Sequence, residues 1–532
     1  MKTRRYDAIV IGGGHNGLTC AAYLGKRGLR VLVLERRDVL GGAAVTEEFH
    51  PGFRNSVFSY LVSLLDRRVV AELELGRHGL TLIPRPGGGL SLLAGDHFHL
   101  PPDIPSAQRA LRRFSVADAD AYPAFDAMLQ DIGNLARQIA QEIPPNFGGG
   151  LADVWRLLQQ ANGFRRLSTE RQLQLTELMT MSIGDFLDRW FESDPIKGLF
   201  GFEGIIGNFA GAYAPGSAYV LLHHAFGNVD GHTGGWAYAR GGMGAITQAM
   251  ASACRSHGVD IITGAEVTEV LSEKNGVTGV HTADGQVFHA DMIASNTHPR
   301  VLFGRLIDPA LTPPEFARRI KSYRSESATF RMNLALSELP RFDSVAHDEA
   351  GLKAMQDTID ICPSLAYIDA AYDDARRQGY ASRPVVSMCI PTLLDDSLAP
   401  PGGHVMSLFC QHFRYALPGG RSWDEERESV ADHIVNTVCE YSPNLQPAIV
   451  GRQIHSPQDI EQKLNMLGGD IFHGKLSLDQ IFSLRPVGGY ADHCMPLKGL
   501  YLCGSGAHPG GGVTGIPGRN AAQVMLKDRR GR

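Results

Sequence analysis

The stretch Asp7 to Glu35, DAIVIGGGHNGLTCAAYLGKRGLRVLVLE, decides the fold. Asp7 to Ile11 is a short apolar run rich in β-branched residues, suited to a buried strand. It feeds the turn Gly12-Gly13-Gly14 and then an alanine-rich helical pattern that ends near Gly28, after which Leu29 to Glu35 forms a second buried strand. Strand, helix and parallel strand make one βαβ unit. Gly12, Gly14 and Gly17 stand at GxGxxG spacing, and the acidic Glu35 closes the second strand. Such glycines permit a tight turn, close approach of the backbone to a pyrophosphate, and close helix packing, while the N-terminus of the helix that follows attracts negative charge; His15 and Asn16, within the same turn, are read as cofactor-binding residues with them. Glu35 reads as the acceptor for an adenosine ribose hydroxyl. Dinucleotide binding is the reading, against a Rossmann-like unit kept without a ligand.

Outward from this unit, the chain runs to 532 residues, enough for several domains and a large core without disulfides or structural metal. It is 43% hydrophobic and 20% charged, which excludes a disordered chain, and its net charge of −5 gives no footprint for nucleic acid. Its 61 glycines, about 11% against a usual ~7%, imply many close backbone approaches. Eight cysteines, at 20, 254, 362, 389, 410, 439, 494 and 503, include no CxxC pair, so neither a zinc site nor a dithiol redox centre is expected and a reducing compartment is the natural setting. The few residues before Tyr6 are too short for a leader, so a cytoplasmic protein is expected. Gly204 to Val229 lacks Asp, Glu, Lys and Arg beyond Glu203, but Asn208, Pro215-Gly216-Ser217 and His223-His224 interrupt it, which argues for a buried, substrate-facing segment and against a transmembrane span.

From about Ser59 to Ala225 the pattern reads as helices separated by loops, with Pro144-Pro145 and Gly148-Gly149-Gly150 marking a surface connection. Between Arg240 and Thr297 a helix is followed by strands turned at Asn275-Gly276 and Asp284-Gly285, which predicts a β-meander. Residues 301–475 mix strands and helices, and after Leu484 glycines return before a strand and a terminal helix. The expected fold class is α/β. A Rossmann-type domain is assembled from residues 1–60, 231–300 and 476–532, and a mixed helix and sheet substrate domain from residues 61–230 and 301–475 is inserted between them.

Glu35-Arg36-Arg37-Asp38-Val39-Leu40-Gly41-Gly42 continues the dinucleotide unit as E-x-R-x-x-x-G-G. On these residues the chain resembles the FAD-dependent amine oxidase and phytoene desaturase superfamily. The resemblance implies that Arg37, Gly41 and Gly42 lie along the FAD phosphates and ribityl chain; where that family usually has Arg, this chain has Ala43, which removes one phosphate partner. Gly241-Gly242-Met243-Gly244 resembles the family's GGM segment, and Val267 the position whose backbone meets the adenine. Gly499 to Asn520, with Gly504, Gly512, Val513 and Thr514, resembles the C-terminal flavin motif, whose backbone N–H groups and helix end face the N1 and O2 edge of the ring. Together with AAVTEEFHPGF, APGSAYVLLHHAFG and KLSLDQIFSLRP, these motifs narrow the resemblance to the phytoene desaturase-like branch called pyridine nucleotide-disulfide oxidoreductase domain-containing protein 2. Gly510-x-Gly512-x-x-Gly515 repeats the GxGxxG spacing, but no βαβ unit follows it, so it is not a second nucleotide site.

What the resemblance implies is an FAD-dependent oxidoreductase that dehydrogenates a C–H bond of a largely apolar, polyene-like small molecule. An amine oxidase and a non-catalytic binder on the same fold are the alternatives. Without a second dinucleotide fold for NAD(P)H, oxygen or a quinone is the expected electron acceptor, and peripheral contact with a membrane stays open. Tyr213, His223, His224, Arg485 and His508 lie in family-like segments and are the candidate catalytic groups, each weighed against a purely structural role. Hydride transfer needs mainly positioning, so an essential acid or base is not required.

Overall fold

A computed structural model of the chain describes residues 5–229, 232–233, 235–273 and 276–530. The Ala8–Ile11 strand is fully buried and sits at the centre of a five-stranded parallel sheet. Across that sheet the order is Asp260–Ile262, Val31–Leu34, Ala8–Ile11, Ile293–Ser295 and Leu500–Leu502. Ile9 pairs with Leu32 on one side and Ile293 on the other, and Ile293 in turn with Leu500. Three distant parts of the chain therefore build one Rossmann-type sheet, as an α/β fold with discontinuous segments requires. The His15–Lys26 helix packs against both the Gly244–Ser256 helix and the terminal Ile516–Arg530 helix. Gly518 makes the second contact possible: a Cβ there would lie 2.1 Å from the Asn16 carbonyl oxygen.

Val267–Glu273, Gly276–Thr282 and Val287–His289 form the antiparallel meander, with Gly285 in its second turn. Asn275, named for the first turn, lies outside the described residues.

A second sheet of seven strands and the first both contribute walls to one cavity, Ile11 and Leu34 from the first sheet and Arg331 and Phe409 from the second. Its order is Ile449–His455, Thr329–Leu336, His404–Phe413, Tyr380–Cys389, Thr358–Ile361, Gly89–Leu93 and Asp96–Leu100. Period-two alternation divides its faces. Phe330, Met332, Leu334, Met406 and Leu408 pack with Trp423, Val430 and Ile434 of the Trp423–Cys439 helix, whereas Arg331, Asn333, Ser407, Phe409 and Gln411 emerge on the opposite side. The segment read as helical from Ser59 to Ala225 does contain seven helices between Ile104 and Ala225. It also contributes the Gly89–Leu93 and Asp96–Leu100 hairpin to this sheet, which the reading of helices separated by loops left out. Two strands of five residues turned at Gly95 are too short to show a strong period, and their burial comes from strands far away in sequence. Gly204–Val229 is broken as its polar and Pro-Gly positions predict: its helix is only Ala218–Ala225, and no helix among the described residues is long and apolar enough to cross a membrane.

Candidate cofactor and active site

One cavity of about 310 Å³ joins the glycine turn after the first strand to the open face of the seven-stranded sheet. Gly12, Gly14, Glu35, Arg36, Arg37 and Val267 line it at the turn. His15, Gly42, Ala43, Asn296, Gly512 and Val513 line its middle, and Tyr60, Ile206, His224, Trp236, Arg331 and Phe409 its far chamber.

The turn is held by close approach. Gly12 has φ +97°, a Cβ on Gly17 would stand 2.1 Å from the Gly12 carbonyl oxygen, and one on Gly14 would stand 2.8 Å from the Asn296 amide nitrogen. Glu35 braces the turn: Oε2 accepts from the Gly13 N–H at 2.7 Å and Oε1 from the Arg37 N–H at 2.8 Å. Each carboxylate oxygen keeps a lone pair, so Glu35 still faces the cavity as an acceptor. Arg37 forms an ion pair with Glu47, and its Nη1 is buried without a protein partner among the described residues. Arg36 donates to the Lys463 carbonyl at 2.7 Å. Lys463 and Arg305 also line the cavity, so cations surround this end although Ala43 stands where Arg is usual. Burial and Arg37 among its neighbours hold the Lys463 ammonium below the ordinary lysine range.

The C-terminal glycine segment closes against this turn. His15 Nε2 lies 3.1 Å from the Gly512 carbonyl oxygen, and Asn16 donates to Ser505 at 3.2 Å. Burial lowers the His15 pKa to about 4, so its ring is neutral at pH 7 and Nε2–H donates. Among the described residues neither the Gly512 nor the Val513 N–H donates to a protein acceptor, and both residues line the cavity. Thr514 differs from the expectation: its N–H donates to the Gly512 carbonyl at 3.0 Å and its side chain caps Ile516, so it shapes the turn from behind. Asn16, Gly17, Gly41 and Gly504 likewise support the cradle without lining it; the Gly41 N–H donates to the Gly13 carbonyl, and Gly504 packs on Asn296. The terminal helix begins only at Ile516.

Of the five candidate catalytic side chains, the structure brings His224 alone to the cavity lining. Its Nδ1 lies 3.3 Å from the Glu203 carbonyl and 3.6 Å from the Glu203 carboxylate, and burial lowers its pKa to about 4. Burial and Asp360 push the Glu203 carboxyl up to about 8, so this pair is uncharged at neutral pH. His223 lies immediately behind, its Nε2 3.1 Å from the Gly511 carbonyl, with burial and then His224 holding its pKa well below the usual value. His508 contacts the Ile139 carbonyl at 3.1 Å, and burial lowers its pKa to about 3. Tyr213 is 45% exposed and donates to Asp188 away from the cavity. Arg485 is fully buried and donates to the carbonyls of Phe472, Gly474, Gln480 and Ser505, so its guanidinium is committed to holding loops together. The placements of Tyr213 and Arg485 correct their reading as groups that reach a substrate.

Sequence reasoning passed over Asn296, Lys463, Tyr60, Arg331, Phe409 and His473. A signal existed for two of them. Asn296 follows the parallel strand Ile293–Ser295 at its carboxyl end, where open α/β sheets bind ligands. Arg331 interrupts an otherwise apolar strand, TFRMNLAL.

The cradle fits FAD on its own features: backbone glycines where a pyrophosphate must approach, an acidic acceptor on the second strand, surrounding cations, and free N–H groups at Gly512 and Val513. No group of three or more metal-ligating side chains occurs among the described residues, and all eight cysteines are unpaired thiols.

Comparison with known proteins agrees with this geometry. Residues 91–330 match the flavin containing amine oxidoreductase family and residues 10–68 an NAD(P)-binding Rossmann-like domain. The rat pyridine nucleotide-disulfide oxidoreductase domain-containing protein 2 is 38% identical, covering 98% of this chain and 94% of its own. A limonene dehydrogenase chain of Castellaniella defragrans is 26% identical, over 99% of this chain and 95% of its own. Phytoene desaturase (lycopene-forming) of Pantoea ananas is 24% identical over 98% and 99%. Among solved structures, wild-type putrescine oxidase bound to putrescine superposes over 100% of both chains with a TM-score of 0.61 at 15% identity, which is a likeness of fold. Through near full-length identity to the rat protein and the flavin family match, the chain belongs to the pyridine nucleotide-disulfide oxidoreductase domain-containing protein 2 family, flavin-containing oxidoreductases with FAD as cofactor.

Proposed function

We propose that the protein dehydrogenates a C–H bond of a largely apolar small molecule by hydride transfer to FAD. The observation that carries this reading is the continuity of one cavity from the dinucleotide cradle, past Gly512 and Val513, into a chamber walled by Tyr60, Leu64, Ile206, Trp236, Phe409 and Phe472. Residues 1–60, 231–300 and 476–532 hold the cofactor, with Gly12, Gly14, Glu35 and Arg37 at the dinucleotide and Val267 at the adenine. The intervening segments supply most of the chamber wall. FAD, when bound, accepts a hydride at N5. The chain's own contribution is to orient the substrate and exclude water, which an apolar wall does without a charged acid or base. His224 and His473, with pKa values lowered by burial to about 4 and about 3, are neutral walls at pH 7. The second hydrogen leaves as a proton, and the acceptor, oxygen or a quinone, takes up two electrons and two protons in all. Two relatives are named for limonene and phytoene, both hydrocarbons, which supports an apolar substrate.

The amine oxidase reading has less support, because among the described residues the chamber presents the cationic Arg331 and no ionised carboxylate to meet an alkylammonium group. Anaerobic titration of the yellow holoprotein decides between them. Bleaching near 450 nm by terpenoid or polyene compounds, with none by primary amines, is the expected result. Bleaching by amines alone overturns the reading. Purified protein that carries no flavin and cannot be reconstituted with it indicates a binding protein.

A further inference from the structure

Arg331 is the one arginine of the far chamber among the described residues, and its surroundings are unlike those of the other deeply buried arginines. Strand alternation sends Phe330 and Met332 into the helix-covered core and delivers Arg331 to the cavity face. It is only 2% exposed. Nη1 donates to the Leu408 carbonyl at 2.6 Å and Nη2 to the Ser407 hydroxyl at 2.9 Å, both neutral acceptors. The Nε–H is buried and has no acceptor among the described residues. A guanidinium has five N–H donors, so most of its capacity is unspent.

Among the described residues no carboxylate lies within 4 Å of Arg331. The acids of that region are coupled elsewhere, Glu203 and Asp360 both interacting with Arg85. Arg85 itself lies 3.7 Å from Asp357, and Arg485 is satisfied by four backbone carbonyls. A cation taken out of water without a counter-ion is costly, and the usual remedy is an opposite charge with matching hydrogen bonds. The Tyr60 ring lies 4.5 Å from the guanidinium carbon and the Phe409 ring 6.0 Å, which fixes the plane of the fork against aromatic walls.

We infer that Arg331 is an anion-binding, specificity-determining residue of the chamber, and that the substrate is an apolar molecule bearing a carboxylate. The planar guanidinium matches a planar carboxylate in a bidentate pair. A single cation suits a singly charged group, because the other cations lining the cavity, Arg36, Arg37, Arg305 and Lys463, belong to the dinucleotide end. Arg331 would hold the acid end of the molecule and leave its hydrocarbon to the aromatic wall. This inference rests on the apolar-substrate reading above and narrows it.

The test uses the full FAD-loaded chain titrated with decanoate, methyl decanoate and acetate, following the perturbation of the flavin absorbance band. Decanoate is expected to bind at least tenfold more tightly than its methyl ester. Arg331→Met should erase that preference at unchanged FAD content, and Arg331→Lys should keep part of it. Equal affinity of the wild type for acid and ester overturns the inference, whether or not the variants fold, and leaves the apolar-substrate reading standing. Acetate binding as tightly as decanoate keeps the anion site and overturns the apolar reading. Absence of binding by all three overturns both.

Discussion

His15 Nε2 and the Gly512 carbonyl oxygen, 497 residues apart in the chain, meet at 3.1 Å. One belongs to the first turn of the first helix, the other to the glycine segment before the last, and both line the cavity between them. The contact fixes where the Gly512 and Val513 N–H groups point relative to the dinucleotide turn.

His15→Phe keeps a ring of similar size and removes one of the two donors to the Gly512 carbonyl, leaving it only the Thr514 N–H. A lost neutral hydrogen bond of about 0.5–1.5 kcal/mol should weaken FAD binding roughly three- to tenfold. Quenching of FAD fluorescence on reconstitution measures this, and an unchanged Kd would show that the contact does not position the cradle.

Gly14→Val should abolish cofactor binding. Even the first added carbon would stand 2.8 Å from the Asn296 amide, and the branches would fill the space that the glycine leaves for the pyrophosphate. The purified variant should be colourless and still folded by far-ultraviolet circular dichroism. A yellow variant of normal absorbance would move the pyrophosphate away from this turn.

The buried imidazoles set the direction of the pH response. His15 has its pKa lowered to about 4 and His412, His473 and His508 to about 3, in every case chiefly by burial. The unfolded chain, with ordinary values near 6.5, therefore binds more protons than the folded one throughout that interval. Stability from these groups is complete above about pH 6.5 and is lost as pH falls toward 3, at up to about 1.4 kcal/mol per pH unit for each ring. Urea midpoints of the apoprotein should drop steeply between pH 7 and pH 5, and His508→Gln should have a shallower slope. Equal slopes would mean that His508 is protonated in the fold.

The cofactor end was legible in the sequence because its chemistry is written in local spacing. Gly12 to Gly17, Glu35 and the Gly41-Gly42 pair are constrained by backbone approach within one βαβ unit, which a linear reading detects. The far chamber is built differently. Tyr60, Ile206, His224, Arg331 and Phe409 come from five separate segments, and each looks locally like core. Arg485 shows the opposite error. An arginine in a family-like segment looks functional until its partners prove to be four carbonyls brought together by the fold. Thr514 misled in the same way, since only the folded turn reveals that its N–H is already spent on Gly512.

That distinction between Thr514 and its neighbour sharpens the last prediction. Val513 lines the cavity and its N–H has no protein acceptor among the described residues, whereas Thr514 is fully buried behind the turn. Thr514→Pro would remove a structural hydrogen bond and report on folding alone. Val513→Asp instead adds negative charge at the cavity wall where the flavin-motif resemblance puts the N1 and O2 edge, the edge that gains negative charge on reduction. Like charge there disfavours the reduced form. At the scale of a charge beside a helix or turn terminus, roughly 0.3–2 kcal/mol, the two-electron midpoint potential should fall by about 10–40 mV. Dye equilibration measures the potential, and flavin absorbance confirms that the variant remains loaded. A fully loaded variant with an unchanged potential would place Gly512 and Val513 away from the ring and leave the His15 contact as a purely structural clasp.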